Sequence, residues 1–241
     1  MKFLGRTAII TGAGQGIGRA IALNFANHGA NLVLCDVNQE TLDTTKALAE
    51  AAGAKVSCYL CDVSNEQRVR EVANLAIAEY GKIDILVNNA AVWRNDRGPF
   101  VQSSSDIWKK KIDVNIYGVL YFTHAVLQHM IDNRYGRIIN ISSVAGTYGI
   151  RNMVDYSMTK GAINSFTIAL AKEVAEYGVN VNAVLPGNIG SLGEQGDNEL
   201  SFIKRRGTPE EVANVVSFLA SDEASYVAGQ NYQVDGCRKK M

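Results

Sequence analysis

At 241 residues the chain can bury a sizeable core, and an α/β sheet protein of this length is expected to be one domain spanning 1–241. Lysine plus arginine balance aspartate plus glutamate at 24 each, which excludes an overall field that would gather nucleic acid or an anionic membrane, so the expected partners are small molecules or protein. The N-terminus enters an apolar run at 7–10 with no signal-length h-region or small-residue cleavage site, and no apolar stretch is long enough to span a bilayer; the expected compartment is cytoplasmic.

Short apolar runs then alternate with segments of helical period, the pattern of βαβ units around a parallel sheet. Residues 7–10 read as the first strand, and Ile17, Ile21 and Phe25 recur every four residues on the helix that follows. Residues 32–35 read as the second strand, followed by a helix reaching Ala51 and a third strand over 55–60. Val69, Val72, Ala73 and Ala76 mark the next helix. Residues 83–87 and 137–141 read as the fourth and fifth strands, with one long helix over 107–130 between them. A second long helix over 156–177, a strand over 180–184, a helix over 209–221 and a last strand over 230–234 complete seven strands in one continuous sheet. Gly190, Gly193 and Gly196 among the polar residues of 188–198 read as a mobile surface loop.

Four cysteines, Cys35, Cys58, Cys61 and Cys237, are too sparse for a disulfide scaffold. Cys58 and Cys61 form a C-x-x-C at the third strand, where an odd offset sends the two side chains to opposite faces. His28, His124 and His129 add no second ligand cluster, so no metal is expected.

After the first strand comes Thr11-Gly12-Ala13-Gly14-Gln15-Gly16-Ile17-Gly18. Glycines at 12, 16 and 18 allow a tight turn, close approach of backbone N–H groups to a pyrophosphate, and close packing of helix on sheet. The second strand ends at Asp36, roughly twenty residues beyond the turn, where a dinucleotide site needs an acid for the adenosine ribose hydroxyls. A carboxylate there accepts from a free 2′-hydroxyl and repels a 2′-phosphate, and neither Gln15 nor the stretch Val37-Asn38-Gln39 supplies a cation for that phosphate. The expected cofactor is NAD(H) rather than NADP(H).

The chain here resembles the classical short-chain dehydrogenase/reductase family, over nearly its whole length. T-G-x-x-x-G-x-G at 11–18 is similar to that family's cofactor turn, and Cys61-Asp62-Val63 to its adenine-contacting segment. Asn88-Asn89-Ala90-Ala91 resembles its N-N-A-G, with Ala91 in place of glycine. Asn115 resembles the active-site asparagine, Ser143 the catalytic serine, and Tyr156 with Lys160 the Y-x-x-x-K pair. Pro186-Gly187-Asn188-Ile189-Gly190-Ser191 resembles the P-G-x-x-x-T segment around the nicotinamide, with Ser191 where threonine is usual. The resemblance implies a Rossmann-type doubly wound three-layer sandwich, a seven-stranded parallel sheet with helices on both faces. It also implies a cofactor set of Gly12, Gln15, Gly16, Ile17, Gly18, Asp36, Asp62, Val63, Asn89, Ala90, Tyr156, Lys160, Pro186, Gly187, Ile189 and Ser191.

Tyr156 and Lys160 are four apart at the start of a helix, so both lie on one face with the ammonium near the phenol. That charge, assisted by an oxidised nicotinamide, is expected to lower the tyrosine's pKa and let it act as general base in alcohol oxidation and general acid in ketone reduction. Ser143 lies on a strand-end loop where its hydroxyl can hold the substrate oxygen. The resemblance gives Lys160 the nicotinamide ribose as a second task and gives Asn115 a proton-relay water; alternatively, an asparagine inside a long helix distorts it or bonds to backbone.

Substrate contacts are expected beyond the carboxyl ends of the strands, from Trp93, Arg94, Arg151 and Asn188. This polar, cationic set suits a hydroxylated or anionic substrate. Val119, Leu120, Phe122, Ile163, Phe166 and Leu170 give the two long helices a second apolar face, used either against the sheet or against another subunit. The resemblance implies dimers and commonly a homotetramer. The sequence thus favours NAD(H)-dependent hydride transfer with a small secondary alcohol or ketone. A 3-oxoacyl-[acyl-carrier-protein] reductase using NADPH and a non-catalytic dinucleotide-binding regulator remain as alternatives.

Overall fold

The computed structural model describes residues 1–93, 98–190 and 198–239. Seven strands form one parallel sheet: β1 Thr7–Thr11, β2 Asn31–Asp36, β3 Val56–Leu60, β4 Ile85–Asn88, β5 Gly136–Ile141, β6 Val179–Pro186 and β7 Asn231–Val234. Their order is β3-β2-β1-β4-β5-β6-β7. The winding direction therefore reverses between β1 and β4, and an open α/β sheet forms its ligand crevice at the carboxyl ends of such a pair.

The central strands are buried on both faces, which is why they read as continuous apolar runs rather than alternating ones. Side chains still alternate between two cores. Ala8 and Ile10 of β1 join Phe25, Leu42, Val212 and Val216 on one face. Ile9 joins Val69, Phe122, Leu170 and Val174 on the other. The first face is covered by α1 Gly16–Asn27, α2 Gln39–Ala51 and a later helix, Pro209–Ala220; the second by α3 Glu66–Tyr80 and the long segments that follow β4 and β5. The arrangement is the expected three-layer, doubly wound Rossmann-type sandwich. Cys58 on β3 packs with the first core and Cys61, just past the strand, with the second, in keeping with their odd offset.

The helix expected over 107–130 is not one rod. It comprises α4 Ser105–Ile112, a single π turn over Asp113–Tyr117, and α5 Gly118–Asp132. The widened turn carries Asn115, fully buried. A side chain at Gly118 would run into Val63, with its Cβ 2.5 Å from Val63 Cγ2, so the glycine lets α5 approach the end of β3. After β5 come the short α6 Ala145–Tyr148, then α7 Val154–Val174 and a 3₁₀ turn to Tyr177. The helix Pro209–Ala220 is α8, started by a capping box in which Thr208 Oγ1 accepts from Glu211 N and Glu211 accepts from Thr208 N.

Four of the residues proposed for a second apolar face, Val119, Phe122, Ile163 and Leu170, are buried within the chain. Tyr117, Val154, Met158 and Ile168 are the large apolar side chains these helices expose. Residues 236–239 strap the segment after Asn198: Ser201 bridges Arg238, Phe202 N donates to Cys237 O, and Lys239 N donates to Leu200 O. Among the described residues no helix is long and apolar enough to cross a membrane.

Candidate active site

The crevice begins where β1 ends. Gly12 and Gly16 hold φ of +62° and +54°, the left-handed region open to glycine. Gly18 is needed for another reason: a Cβ there would overlap Gly12 O. The turn is locked to β4 across the switch point. Thr11 Oγ1 accepts from Asn89 N at 2.9 Å and Ala90 N at 3.0 Å, and Asn89 Nδ2 donates to Thr11 O at 2.9 Å and Gly12 O at 3.0 Å. Asn89 thus serves this end of the crevice as a buttress of the glycine turn. Asn88 points into the protein, donating to Thr123 Oγ1 at 3.1 Å and Asn140 Oδ1 at 2.9 Å, while Asn140 donates to Thr167 Oγ1 at 3.0 Å. This buried polar chain through β4, β5, α5 and α7 is not legible in the sequence, where Asn140 is one polar residue among Ile138, Ile139 and Ile141.

At the carboxyl end of β2, the Asp36 carboxylate is seated on three backbone N–H groups. Oδ2 accepts from Gly14 at 2.8 Å, and Oδ1 accepts from Val37 at 2.8 Å and Asn38 at 3.1 Å. Gln15 is exposed at the N-cap of α1, Ile17 is half-buried, and Val63 is buried. Asp62 Oδ1 accepts from Ser64 N and Ser64 Oγ at 2.9 and 2.7 Å. Beyond β6, Gly187 lies against Asp235, whose Cα would be 2.8 Å from a Cβ at 187, and Ile189 bridges Gly207. A positive-φ glycine turn closed by packed backbone, facing a fixed carboxylate one strand away, fits a dinucleotide. Ser191 and Arg94 lie outside the described residues.

Ser143, Tyr156 and Lys160 come together where β5 and β6 end. Ser143, on the loop after β5, accepts from Ala145 N at 3.1 Å, and its hydroxyl lies close enough to the Tyr156 phenol to favour the phenolate. Lys160 is 3% exposed; its Nζ donates to Ile141 O at 2.8 Å and stands 5.8 Å from the Tyr156 ring centre. Small residues make this packing possible. A Cβ at Gly146 would be 2.5 Å from the Lys160 carbonyl carbon, and Ser142 Oγ donates to Lys160 O at 3.0 Å. The serine loop therefore rests directly on the backbone of α7.

Within the chain alone, burial governs the electrostatics of the pair. Burial holds the Tyr156 phenol above its usual pKa, an effect only partly offset by the Ser143 hydroxyl. Burial also pushes the Lys160 ammonium down to about 8. The lysine's charge is directed at the Ile141 carbonyl, so within the chain alone it does not bring the phenol down.

Asn115 joins this group through backbone. Its Oδ1 accepts from Val92 N at 2.7 Å, and its Nδ2 donates to Val92 O at 3.0 Å and Thr159 Oγ1 at 3.2 Å. Thr159 Oγ1 in turn donates to Tyr156 O at 2.9 Å. Both carboxamide N–H groups are thus committed within the chain. A further support lies beside the tyrosine: Asp155 Oδ2 pairs with Lys111 Nζ at 2.7 Å, both side chains buried, while Asp155 Oδ1 accepts from Tyr156 N at 2.8 Å. Lys111 and Asp155 carry no sequence signal, since their meeting requires the fold.

The expected substrate contacts are less concentrated. Trp93 is 41% exposed just past β4, Arg151 is exposed between α6 and α7, and Asn188 donates to Asn198 Oδ1 at 3.4 Å. Among the described residues no hydrogen bond links Arg151 or Asn188 to the Ser143–Tyr156 pair. Asn188, Ile203, Gln233, Asp235 and Cys237 line a cavity of about 310 Å³ beside the end of β6.

A doubly wound sheet with a glycine turn at its switch point and a buried serine, a half-buried tyrosine and a buried lysine beyond it defines an oxidoreductase of the short-chain type. The family described as Enoyl-(Acyl carrier protein) reductase matches residues 12–237. The 3-oxoacyl-[acyl-carrier-protein] reductase FabG of Thermotoga maritima is 40% identical, covering 98% of each chain. Among solved structures, levodione reductase superposes with a TM-score of 0.92 at 32% identity over 97% of each chain. NAD+-bound xylitol dehydrogenase gives 0.93 at 32% identity over 98% of this chain and 100% of that one. This chain belongs to the short-chain dehydrogenase/reductase family.

Proposed function

We propose that the protein is an NAD(H)-dependent oxidoreductase that exchanges a hydride with the carbinol carbon of a small secondary alcohol or ketone. The observation that carries this reading is the Ser143–Tyr156 hydroxyl pair, with Lys160 buried one turn further along α7. Bound nicotinamide dinucleotide supplies the hydride donor or acceptor. The glycine turn, Asp36, Asp62, Val63, Asn89, Ala90 and the Pro186–Ile189 segment would hold it, together with Lys160.

Ser143 holds the substrate oxygen, and the Tyr156 hydroxyl gives it a proton in reduction or takes one in oxidation. A phenol with a raised pKa keeps its proton at neutral pH, which suits the reductive direction; the oxidative direction needs positive charge beside the phenolate. Lys160, with its pKa pushed down to about 8, can supply a replacement proton. The seat of Asp36, with no cation at 15 or 37–39, supports NAD(H) over NADP(H).

A second reading has its own support: the matching family and the Thermotoga relative are both named as acyl-carrier-protein reductases. Turnover of secondary alcohols and ketones against a 3-oxoacyl thioester, each with NADH and NADPH, separates the two. A strong preference for the thioester and NADPH overturns the first reading. Tyr156→Phe is expected to bind NADH as the wild type does and to lose about 10²–10⁴ in turnover; undiminished turnover removes Tyr156 from the chemistry.

A further inference from the structure

Gly14 does not have the backbone conformation that makes Gly12 and Gly16 necessary, since its φ lies outside the left-handed region. The space around it is what excludes a side chain. A Cβ at 14 would stand 2.9 Å from Asp36 Oδ2 and 3.0 Å from Asp36 Cγ, and would overlap Thr41 Oγ1. All three atoms belong to side chains, so a methyl group there displaces a carboxylate and a hydroxyl rather than backbone.

The Gly14 peptide is polarised from both sides. Its N–H donates to Asp36 Oδ2 at 2.8 Å, and its carbonyl accepts from Thr45 Oγ1 at 3.2 Å and from Arg19 Nη2. The Arg19 guanidinium is turned to the far side of the peptide, with Nε on Thr45 Oγ1 at 3.0 Å and Nη2 also on Thr41 O at 3.4 Å. A cation at this end of the crevice is thus held on neutral acceptors while a carboxylate is presented. With Val37 and Asn38 donating to Oδ1 and Gly14 to Oδ2, three of the roughly four acceptor positions of that carboxylate are filled. One position on Oδ2 is left, enough for a single outside hydroxyl donor and repulsive to a phosphate ester.

We infer that Gly14 is a specificity-determining residue: by leaving room for the Asp36 carboxylate and bonding it, it selects a dinucleotide with a free adenosine ribose hydroxyl. This rests on the reading of the glycine turn as a dinucleotide site. A side chain at 14 unseats the carboxylate while the strand and helix around it stand.

The test is a binding cycle on the full chain, with Gly14→Ala, Asp36→Ala and the double variant titrated with NADH and NADPH by the fluorescence of the reduced nicotinamide. Gly14→Ala is expected to weaken NADH binding about tenfold, the loss of one hydrogen bond to a charged group, with no matching loss for NADPH. In the Asp36→Ala background the same change is expected to cost nothing further. Equal losses in both backgrounds, or an NADH to NADPH ratio unchanged by Gly14→Ala, overturn the inference. Adding Thr41→Ala to Gly14→Ala should leave the loss in place; recovery assigns it to Thr41 instead and also overturns it. Should Gly14→Ala fail to fold, the amide proton shift of Gly14 in wild-type and Asp36→Asn proteins reads the same bond: an upfield move is expected, and an unmoved signal refutes it. Tighter wild-type binding of NADPH than of NADH would overturn the cofactor reading instead, and the cycle keeps that outcome separate.

Discussion

Replacing Lys160 by methionine isolates the cost of keeping its ammonium inside the protein. Burial brings this lysine from 10.5 to about 8, and at about 1.4 kcal/mol per pK unit that penalty is about 3 kcal/mol. It is fully present below about pH 8. Between about 8 and 10.5 the unfolded lysine carries a proton that the folded one has lost, so unfolding takes up a proton and stability rises with pH across that window. At neutral pH the variant escapes the penalty but leaves the Ile141 carbonyl without its donor, a loss of about 1–3 kcal/mol, so the two proteins should differ little there. The difference between them should move by about 3 kcal/mol in favour of the wild type on going from about pH 7 to about pH 10.5. Urea unfolding of both proteins at several pH values measures it, and the tyrosines and cysteines that titrate in both cancel. A difference that stays flat, or that moves toward the variant, refutes the assignment of a buried, charged lysine.

Asn115→Ala removes three hydrogen bonds and leaves the Val92 N–H and carbonyl unsatisfied; a stability loss of about 2–4 kcal/mol is expected in urea unfolding. Lys111→Met strands the buried Asp155 carboxylate, with an expected loss of about 3–5 kcal/mol, of which the Lys111→Met/Asp155→Leu double variant should recover a large part. Gly18→Ala drives a methyl group into the Gly12 carbonyl, a backbone atom, so both thermal stability and NADH binding by fluorescence titration should fall. Thr208→Ala removes the cap of α8 and should lower stability by about 1 kcal/mol without changing NADH affinity.

Local chemistry made much of the molecule legible in its sequence. The seven strands were readable because the buried sheet leaves apolar runs, and the glycine turn because positive φ restricts residue choice. Ser143, Tyr156 and Lys160 were found by order and spacing, and the structure brings them into one cluster. Features made by distant segments were not readable. The Lys111–Asp155 pair joins α4 to α7, and the Thr11–Asn89 lock joins β1 to the residue after β4. The π turn at Asp113–Tyr117 was hidden because one widened turn leaves the apolar period of the flanking helices almost intact. Spacing shows that a lysine is near Tyr156, but not that its ammonium is bonded to a strand-end carbonyl or that burial acts on both groups.

The strap formed by residues 236–239 bears on how this pocket can change. The wall that carries Ile203 is stitched to the chain beside Cys237, so a substitution on either strip drags the other with it. Attempts to reshape this cavity through residues 198–203 alone are therefore expected to be compensated or resisted from across the stitch, and libraries that vary both strips together should change its shape more often than libraries confined to one.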